Sequence, residues 1–277
     1  VKEFRILNST YLAEYGRALG GFVNIVTKSG TNDLRGSAYY YGMNDALAAR
    51  SILNLPEADE LSQHQYGATL GGPLARDRTF FFLNYEGQQR SESNRFSQVI
   101  LDNIDRINAV RARFNLTPET LDQVRTNDYN QFMVKLDHRA SEKLTLSARY
   151  LFLDSEALNF PGAGGRAPPT STAPRDNQTR DHAAVLNATT LFSPRLLNET
   201  RVQWARRSYD FNPTVPEPAL EITNLLIMGK TTSDMDFYEE ERFQLGTSFL
   251  YTRGGHQFKI GGDYNKIKDN AGWDLFF

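Results

Sequence analysis

This 277-residue chain lacks several features, and each absence excludes a class of structure or chemistry. It contains no cysteine, which excludes disulfide bonds, thiolate nucleophiles and cysteine-based metal sites. No apolar run approaches the roughly 18 residues that a membrane-spanning helix needs. Neither sign of charge dominates, because 31 basic and 33 acidic residues leave a formal net charge of −2. Nucleic acid is therefore not an expected partner.

The composition is that of a folded protein. Hydrophobic residues make up 40% of the chain, aromatic residues 12% and charged residues 23%, which is too apolar for a disordered chain. The sequence begins Val1-Lys2-Glu3-Phe4, without the charged start, apolar core and cleavage site of a secretory signal. If the protein is exported, we expect this chain to be a fragment of it.

Apolar and polar residues alternate with a period of two over most of the chain, which predicts β-strands with one apolar face. The clearest case is 143–153, where Leu144, Leu146 and Tyr150 alternate with Thr145, Ser147 and Arg149. We predict about nine such strands, at 33–43, 64–73, 78–87, 130–139, 143–153, 181–192, 196–208, 240–251 and 256–267.

The connections between these strands alternate between long and short without exception. They cover 44–63, 74–77, 88–129, 140–142, 154–180, 193–195, 209–239 and 252–255. Outer-membrane barrels have this pattern, with short periplasmic turns and long external loops, and a soluble β-sandwich has no such rule. Aromatic residues near the strand ends fit the girdles of such a barrel, with Phe192 and Tyr251 beside short turns and Phe152, Trp204 and Tyr264 toward the other end.

Two of the long connections have distinct local patterns. Between 96 and 125, apolar residues recur at helical spacing, and Thr117-Pro118-Glu119 resembles the start of a second short helix. We therefore expect a small helical insertion there. Residues 159–178 are rich in proline, glycine, serine and threonine and predict a mobile loop without regular strand pairing.

The sequence offers no support for catalysis, a metal site or a cofactor. The four histidines lie on separate strands or at their ends, with no partner at the spacing that a metal site on a helix would need. Met228-Gly229-Lys230-Thr231-Thr232 resembles part of a phosphate-binding loop, but Asn224 stands where the earlier glycine is required. No serine nucleophile motif is present. We predict that the protein is not an enzyme.

Two segments carry a resemblance to a known family. Residues 20–43 read GGFVNIVTKSGTNDLRGSAYYYGM, a glycine-punctuated β segment followed by a polar turn and a tyrosine-rich strand. Residues 64–90 read HQYGATLGGPLARDRTFFFLNYEGQQR. Both resemble TonB-dependent outer-membrane receptors, particularly their Oar-like branch. The first segment is similar to the boundary between plug and barrel, and the second to an early barrel hairpin.

This resemblance implies an all-β fold, namely an antiparallel transmembrane β-barrel preceded by the end of a plug domain. Residues 1–32 would form the C-terminal part of the plug and 33–277 the first part of the barrel, with about nine of roughly 22 strands. The protein would lie in the bacterial outer membrane, in contact with lipid. It would bind an external solute and move it into the periplasm, energised by the inner-membrane Ton complex through TonB, whose contact segment would lie upstream of this chain.

The resemblance and the alternation together suggest functional positions. The plug-end or hinge residues that match the family are Gly20, Gly21, Asn24, Thr27, Lys28, Ser29 and Gly30. From alternation, we expect the residues facing the barrel interior to include Arg35, Tyr39, Lys135, Arg149, Arg201 and Arg242. These polar residues either contact the plug or the solute path, or merely line a wet interior.

Two other functions are compatible with the sequence. A passive porin or a structural or adhesive outer-membrane protein would keep the barrel, and a soluble β-rich carbohydrate-binding module would turn the apolar stripes inward. Uptake of siderophores, oligosaccharides or peptides is equally compatible with a receptor of this kind.

Overall fold

A computed structural model describes residues 2–7, 22–46, 61–160, 167–230 and 235–273. The described chain is mostly antiparallel β-structure with one helix, which confirms the predicted all-β class. The strands are β1 (Glu3–Leu7), β2 (Phe22–Val26), β3 (Arg35–Asn44), β4 (Leu61–Ala75), β5 (Thr79–Ser93), β6 (Val124–Thr126), β7 (Asp128–Ser141), β8 (Leu144–Phe160), β9 (Arg175–Ser193), β10 (Leu196–Pro213), β11 (Leu220–Ile222), β12 (Leu226–Met228), β13 (Met235–Arg253) and β14 (His256–Trp273). The helix α1 spans Gln98–Arg113.

Nine long strands form one sheet in the order β3, β4, β5, β7, β8, β9, β10, β13 and β14, and each is antiparallel to its neighbours. They correspond one for one to the nine strands predicted from the sequence. The short strand β6 pairs with the end of β5, and β1 pairs with β2 outside this sheet. The sheet is open, with β3 and β14 as its edges.

Most strands extend further than the sequence predicts, and the larger extensions lie at the ends toward the long connections. We predicted 143–153 and 181–192, whereas β8 covers 17 residues and β9 covers 19. The alternation of apolar and polar residues fades beyond Phe152, but the pairing of β8 with β9 continues through Glu156 opposite Gln178. Since 9 to 11 residues suffice to cross a bilayer, we interpret the polar extensions as the part of the sheet that projects beyond the membrane surface.

The short connections lie at one end of the sheet and the long ones at the other. The turns at 76–78, 142–143, 194–195 and 254–255 each join neighbouring antiparallel strands. Two of them need a left-handed backbone, at Asp77 (φ 58°) and Gly254 (φ 58°). The opposite end carries α1, β6, β11 and β12, so the predicted alternation of connection lengths is confirmed.

One face of the sheet, called the outer face below, exposes large apolar side chains. Ile260 is 75% exposed, and the other exposed residues of this face include Tyr40, Leu70, Tyr85, Phe132, Leu136, Leu146, Tyr150, Leu186, Phe243, Leu245, Phe249, Phe258 and Tyr264. A continuous apolar surface of this extent would be unfavourable in water and is favourable against lipid tails. Within the described ranges no helix is both long enough and apolar enough to cross a membrane.

Aromatic rings mark both ends of this apolar band. Beside the short turns, Phe192 and Phe249 stack with their ring centroids 6.4 Å apart. Toward the long connections, His182 lies between Phe152 and Trp204, at centroid distances of 5.0 and 6.4 Å. Membrane barrels carry rows of aromatic residues at both boundaries between lipid and water, so these two rows fit such girdles.

Candidate functional site

The strand register places all six predicted interior residues on the face opposite the apolar one, called the inner face below. Lys135 pairs with both Phe82 and Arg149, and Arg149 pairs in turn with Val185 on β9. Paired residues share a face, as do residues two apart on one strand. This register puts six polar residues on the inner face, namely Arg35, Tyr39, Lys135, Arg149, Arg201 and Arg242.

The segment from 22 to 30, called the inner segment below, lies against this face. Lys135 donates a hydrogen bond from Nζ to the hydroxyl of Ser29 at 2.7 Å. Beside this contact, residues 24–27 and the inner face of β7 to β10 enclose a cleft of about 350 Å³. Its lining comprises Asn24, Ile25, Val26, Thr27, Lys135, Ser147, Arg149, Val185, Asn187, Arg201 and Gln203. The structure therefore brings two groups of predicted residues into one place.

Gly30 lies in close contact with the nine-stranded sheet, which is called the wall below. A Cβ atom built on Gly30 would overlap the carbonyl oxygen of Phe81 and lie 2.7 Å from that of Gly72. Gly71 faces the same point, since a Cβ there would lie 3.4 Å from the Gly30 Cα. Glycine is required at Gly30 because any side chain would displace the backbone of the first hairpin.

Asn32 anchors the chain just beyond this contact. Its side-chain carbonyl accepts a hydrogen bond from the backbone N–H of Asp77 at 2.8 Å, and its amide nitrogen donates to the Asp77 carboxylate. Asp77 lies in the turn between β4 and β5. The link between inner segment and sheet is thus fixed to the first short turn. Sequence reasoning did not single out Asn32 or Asp77, and the turn chemistry of both residues was the available signal.

The other predicted plug-end residues fall into two groups. Asn24 and Thr27 line the cleft, and Lys28 lies between the cleft and Ser29 along the chain. Gly20 and Gly21 lie outside the described residues, so the structure gives no information on them.

A carboxylate is held by tyrosines on the inner face above the cleft. Tyr129 donates to Glu86 at 2.7 Å, Gln65 donates to it at 3.2 Å, and Tyr39 forms a further hydrogen bond with it. Tyr39 and Tyr41 also pack together, with ring centroids 5.4 Å apart. Alternation places Tyr39 on this face of the sheet but gives no indication of its partner on β5.

Aromatic and cationic groups line the inner face nearer the long connections. The guanidinium of Arg175 lies 4.2 Å from the ring centroid of Phe211, which stacks on Tyr209 at 5.9 Å. Arg207 forms paired hydrogen bonds with Asp181 on the neighbouring strand, at 2.8 and 2.5 Å. This part of the wall offers flat apolar surfaces beside fixed charges.

The long connections pack into one unit, called the outer cap below, which consists of 94–123, 167–174 and 214–230. Its core contains Phe96, Ile100, Leu226 and Met228, and Ile100 is only 1% exposed. The cap therefore has a small hydrophobic core of its own, whereas the apolar side chains of the sheet's outer face are exposed.

A buried ion cluster joins the three parts of the cap. The carboxylate of Glu119 accepts hydrogen bonds from the Ser171 hydroxyl at 2.8 Å and from the Thr172 N–H and hydroxyl at 2.9 and 2.7 Å. It also pairs with Arg111 at 3.1 Å, and Arg111 pairs with Glu217. A buried charge is tolerated only when it is paired and hydrogen-bonded, and Glu119 meets both conditions.

The predicted second helix at Thr117-Pro118-Glu119 does not form, because the backbone of Glu119 is hydrogen-bonded to a side chain of α1. The side chain of Asn108 donates to the backbone carbonyl of Glu119 at 2.9 Å and accepts from its N–H at 2.8 Å. With both backbone groups satisfied by α1, the segment has no need of helical hydrogen bonds. It instead runs irregularly along α1.

The prediction of a mobile loop at 159–178 is wrong for its described part, 159–160 and 167–178. Thr170, Ser171, Thr172 and Ala173 are each at most 5% exposed. The N–H of Thr170 donates to Ile227 O at 2.9 Å, and the Gly229 N–H donates to the Thr172 hydroxyl at 3.0 Å. Composition suggested mobility because the partners Glu119, Ile227 and Gly229 lie more than fifty positions away, before or after these residues in the chain.

Glu217 is a cap carboxylate whose pKa is displaced. Burial raises this pKa, but hydrogen bonds from the N–H and hydroxyl of Thr117 and the positive charge of Arg111 outweigh it. The pKa of Glu217 therefore lies below its ordinary value, and its ionised form stabilises the cap.

Among known families, the one described as "Outer membrane beta barrel domain" matches residues 26–107 and 100–274. The match covers most of the chain, so this protein belongs to the outer-membrane β-barrel domain family and is located in the outer membrane.

Individual relatives make the resemblance more specific. The TonB-dependent transporter Oar of Myxococcus xanthus is 24% identical over 170 residues, which is 58% of this chain and 14% of Oar. The outer membrane transporter YddB of Escherichia coli has the same fold, with a TM-score of 0.63 and 12% identity over 96% of this chain and 34% of YddB. The siderophore receptor PirA of Acinetobacter baumannii gives a TM-score of 0.60 and 15% identity over the same shares.

These relatives confirm the resemblance to TonB-dependent receptors that the sequence suggested. They are transporters and receptors, not enzymes. The chain spans about a seventh of Oar and about a third of each of the two solved structures.

Proposed function

We propose that this chain is part of a TonB-dependent outer-membrane receptor, which binds an external solute and moves it into the periplasm with energy from the inner-membrane Ton complex. In this proposal, residues 1–32 are the end of the plug and 33–277 the first part of the barrel. Oar is named as a TonB-dependent transporter and PirA as a siderophore receptor, which supports this class of function for the related chain.

The contact of the inner segment with the inner face is the observation that carries the proposal. A plug requires a chain segment that enters the barrel interior beside the short turns and lies against the wall. A passive pore does not require such a segment. The chain is fixed by Asn32 at the turn residue Asp77 and by the close packing of Gly30. Upstream of Gly30, the only side-chain hydrogen bond to the wall in the described part is that of Ser29 with Lys135.

This distribution of contacts suggests where movement would occur. An anchored base with one hydrogen bond just upstream allows 22–29 to leave the wall while Asn32 stays in place. A pull from the periplasmic side would then open the cleft beside Arg149 and Arg201. The outer cap, held together by Glu119, would cover the other end of the same path.

The test uses the full-length protein in a deletion strain. Growth on limiting iron, glycan and peptide sources first identifies the solute that requires the protein. The variant Ser29→Cys with Lys135→Cys is then bridged by a short reducible bis-thiosulfonate, and uptake of that solute is measured before and after reduction. We expect the bridge to block uptake and reduction to restore it.

A bridge within the wall provides the matched control. Asp181 and Arg207 lie opposite each other on β9 and β10, so a bridge between cysteines at these positions joins two strands that are already paired. We expect uptake to continue in this control. Uptake that continues with the inner segment bridged, or in a strain without TonB, would instead favour a passive barrel.

A further inference from the structure

The cleft beside the inner segment has an unusual charge composition. Its lining includes three cations, Lys135, Arg149 and Arg201, and no carboxylate. Lys135 is compensated, because it forms an ion pair with Asp137 at 3.4 Å. In the described part of the chain, neither Arg149 nor Arg201 forms an ion pair, and Arg201 donates from Nε to the Asn187 side-chain oxygen at 3.3 Å.

Several other arginines of the inner face are paired with acids. Arg207 pairs with Asp181 at 2.5 Å, Arg242 with Glu240 at 3.1 Å, and Arg125 with Glu92 at 2.6 Å. The wall thus supplies a carboxylate to these cations but not to the two in the cleft. Glu199 lies on the same face two residues before Arg201, yet it does not line the cleft.

The two arginines are close enough to repel each other. Arg149 pairs with Val185, which pairs with Gln203, and Arg201 is two residues from Gln203 on the same face. They therefore lie on the same face of β8 and β10, with β9 between them and an offset of two residues, and the charge of Arg201 acts on Arg149. Two neighbouring positive charges in a partly enclosed cleft are unfavourable unless an anion lies between them.

We propose that Arg149 and Arg201 form an anion site for a carboxylate or phosphate group of the transported solute, at the point where it passes between the inner segment and the wall. This assignment rests on the proposed transport function. Guanidinium groups bind such anions through paired, charge-assisted hydrogen bonds. Asn24, Thr27 and Asn187 add polar atoms to the same lining.

The position of the site favours a solute over a lipid headgroup. Both arginines lie on the inner face, whereas lipid contacts the opposite, apolar face. The cleft of about 350 Å³ accommodates a small polyvalent anion. A carboxylate from another part of the same protein is the competing source of negative charge, and the experiment below separates the two.

Calorimetric titration of the full-length protein in detergent at low ionic strength tests the proposal, with citrate and inorganic phosphate as probes and glucose as a neutral control. We expect saturable binding of both anions and none of glucose. Losing one charge-assisted contact in Arg149→Gln or Arg201→Gln should weaken binding by about tenfold or more. The control Arg207→Gln, which alters a paired arginine of the same face, should bind as the native protein does.

Two results would overturn the proposal. The first is anion binding that is equal in the native protein and in both cleft variants. The second is no binding to the native protein together with a lower unfolding temperature in Arg149→Gln, because an internal carboxylate would then occupy the pair. Solute uptake in the deletion strain is measured separately, so a failed titration does not imply failed transport, and the reverse holds too.

Discussion

Lys135 on β7 donates a 2.7 Å hydrogen bond to Ser29, 106 positions earlier in the chain. It is one of the contacts between the inner segment and the wall, and it lies at the edge of the cleft that contains Arg149 and Arg201. The same lysine pairs with Asp137, which fixes its ammonium group against the wall. This contact joins the segment that we propose to move with the surface that we propose to stay in place.

Gly30→Ala should weaken the packing of the inner segment against the wall. The added Cβ would overlap the Phe81 carbonyl oxygen, and the neighbouring atoms are backbone, which cannot rotate away. We expect a cost of about 1–3 kcal/mol and faster protease cleavage within 22–34 of the full-length protein. In the control Gly262→Ala the new methyl meets no atom within 4 Å, so cleavage should be unchanged.

Glu119→Ala should open the outer cap. The substitution leaves the Arg111 guanidinium with one fewer carboxylate and leaves Ser171 and Thr172 without their acceptor. Breaking a buried pair on one side costs about 3–5 kcal/mol. Hydrogen exchange should therefore accelerate in 98–113 and 167–174 and not in the sheet. The exposed turn variant Glu142→Ala serves as the control, and equal exchange in both variants would contradict the role of Glu119.

Acid should weaken the same cap through Glu217. The pKa of Glu217 is lowered in the folded state. Its contribution to the stability of the cap is therefore fully present at a pH above the ordinary carboxyl pKa and is lost as the pH falls toward the folded-state pKa. We expect the protection factor of the Thr117 amide against hydrogen exchange to fall as the pH drops below about 4.5, because Glu217 accepts its hydrogen bond. Glu217→Gln should flatten this dependence, and an unchanged profile in the variant would exclude Glu217 as its source.

Neighbouring residues on β13 test which face meets lipid. Leu245 points to the outer face and is 41% exposed, while Gln244 points to the inner face and donates to Asp263. Leu245→Arg should destabilise the protein in lipid vesicles by about 2–4 kcal/mol. Gln244→Arg should cost much less, since its guanidinium can pair with Asp263. Urea unfolding measures both, and the opposite order would mean that the faces are reversed.

The strands and their orientation were predictable because they depend on local alternation. The side chains of Leu144 and Arg149 point to opposite faces for the reason that strands have a period of two, and no distant residue changes this. The strand ends were less predictable, because the ladder between β8 and β9 continues to Glu156 after the apolar signal has ended.

The cap was not predictable in the same way. The conformation around Glu119 depends on Arg111 and on the adjacent residues Ser171 and Thr172, which lie more than fifty positions later in the chain. Composition alone suggested a mobile loop and a helix start there. The cleft was predictable only in part. Alternation placed Arg149 and Arg201 on the inner face, but only the register showed that they lie with one strand between them and an offset of two residues.

The most direct test of the account is solute uptake by cells whose full-length protein carries the reducible bridge between positions 29 and 135. If the inner segment must leave the wall, uptake will stop when the bridge forms and return when it is reduced, while the bridge between 181 and 207 has no effect. Equal uptake in the bridged and reduced states would show that the segment does not move during transport and would contradict the account.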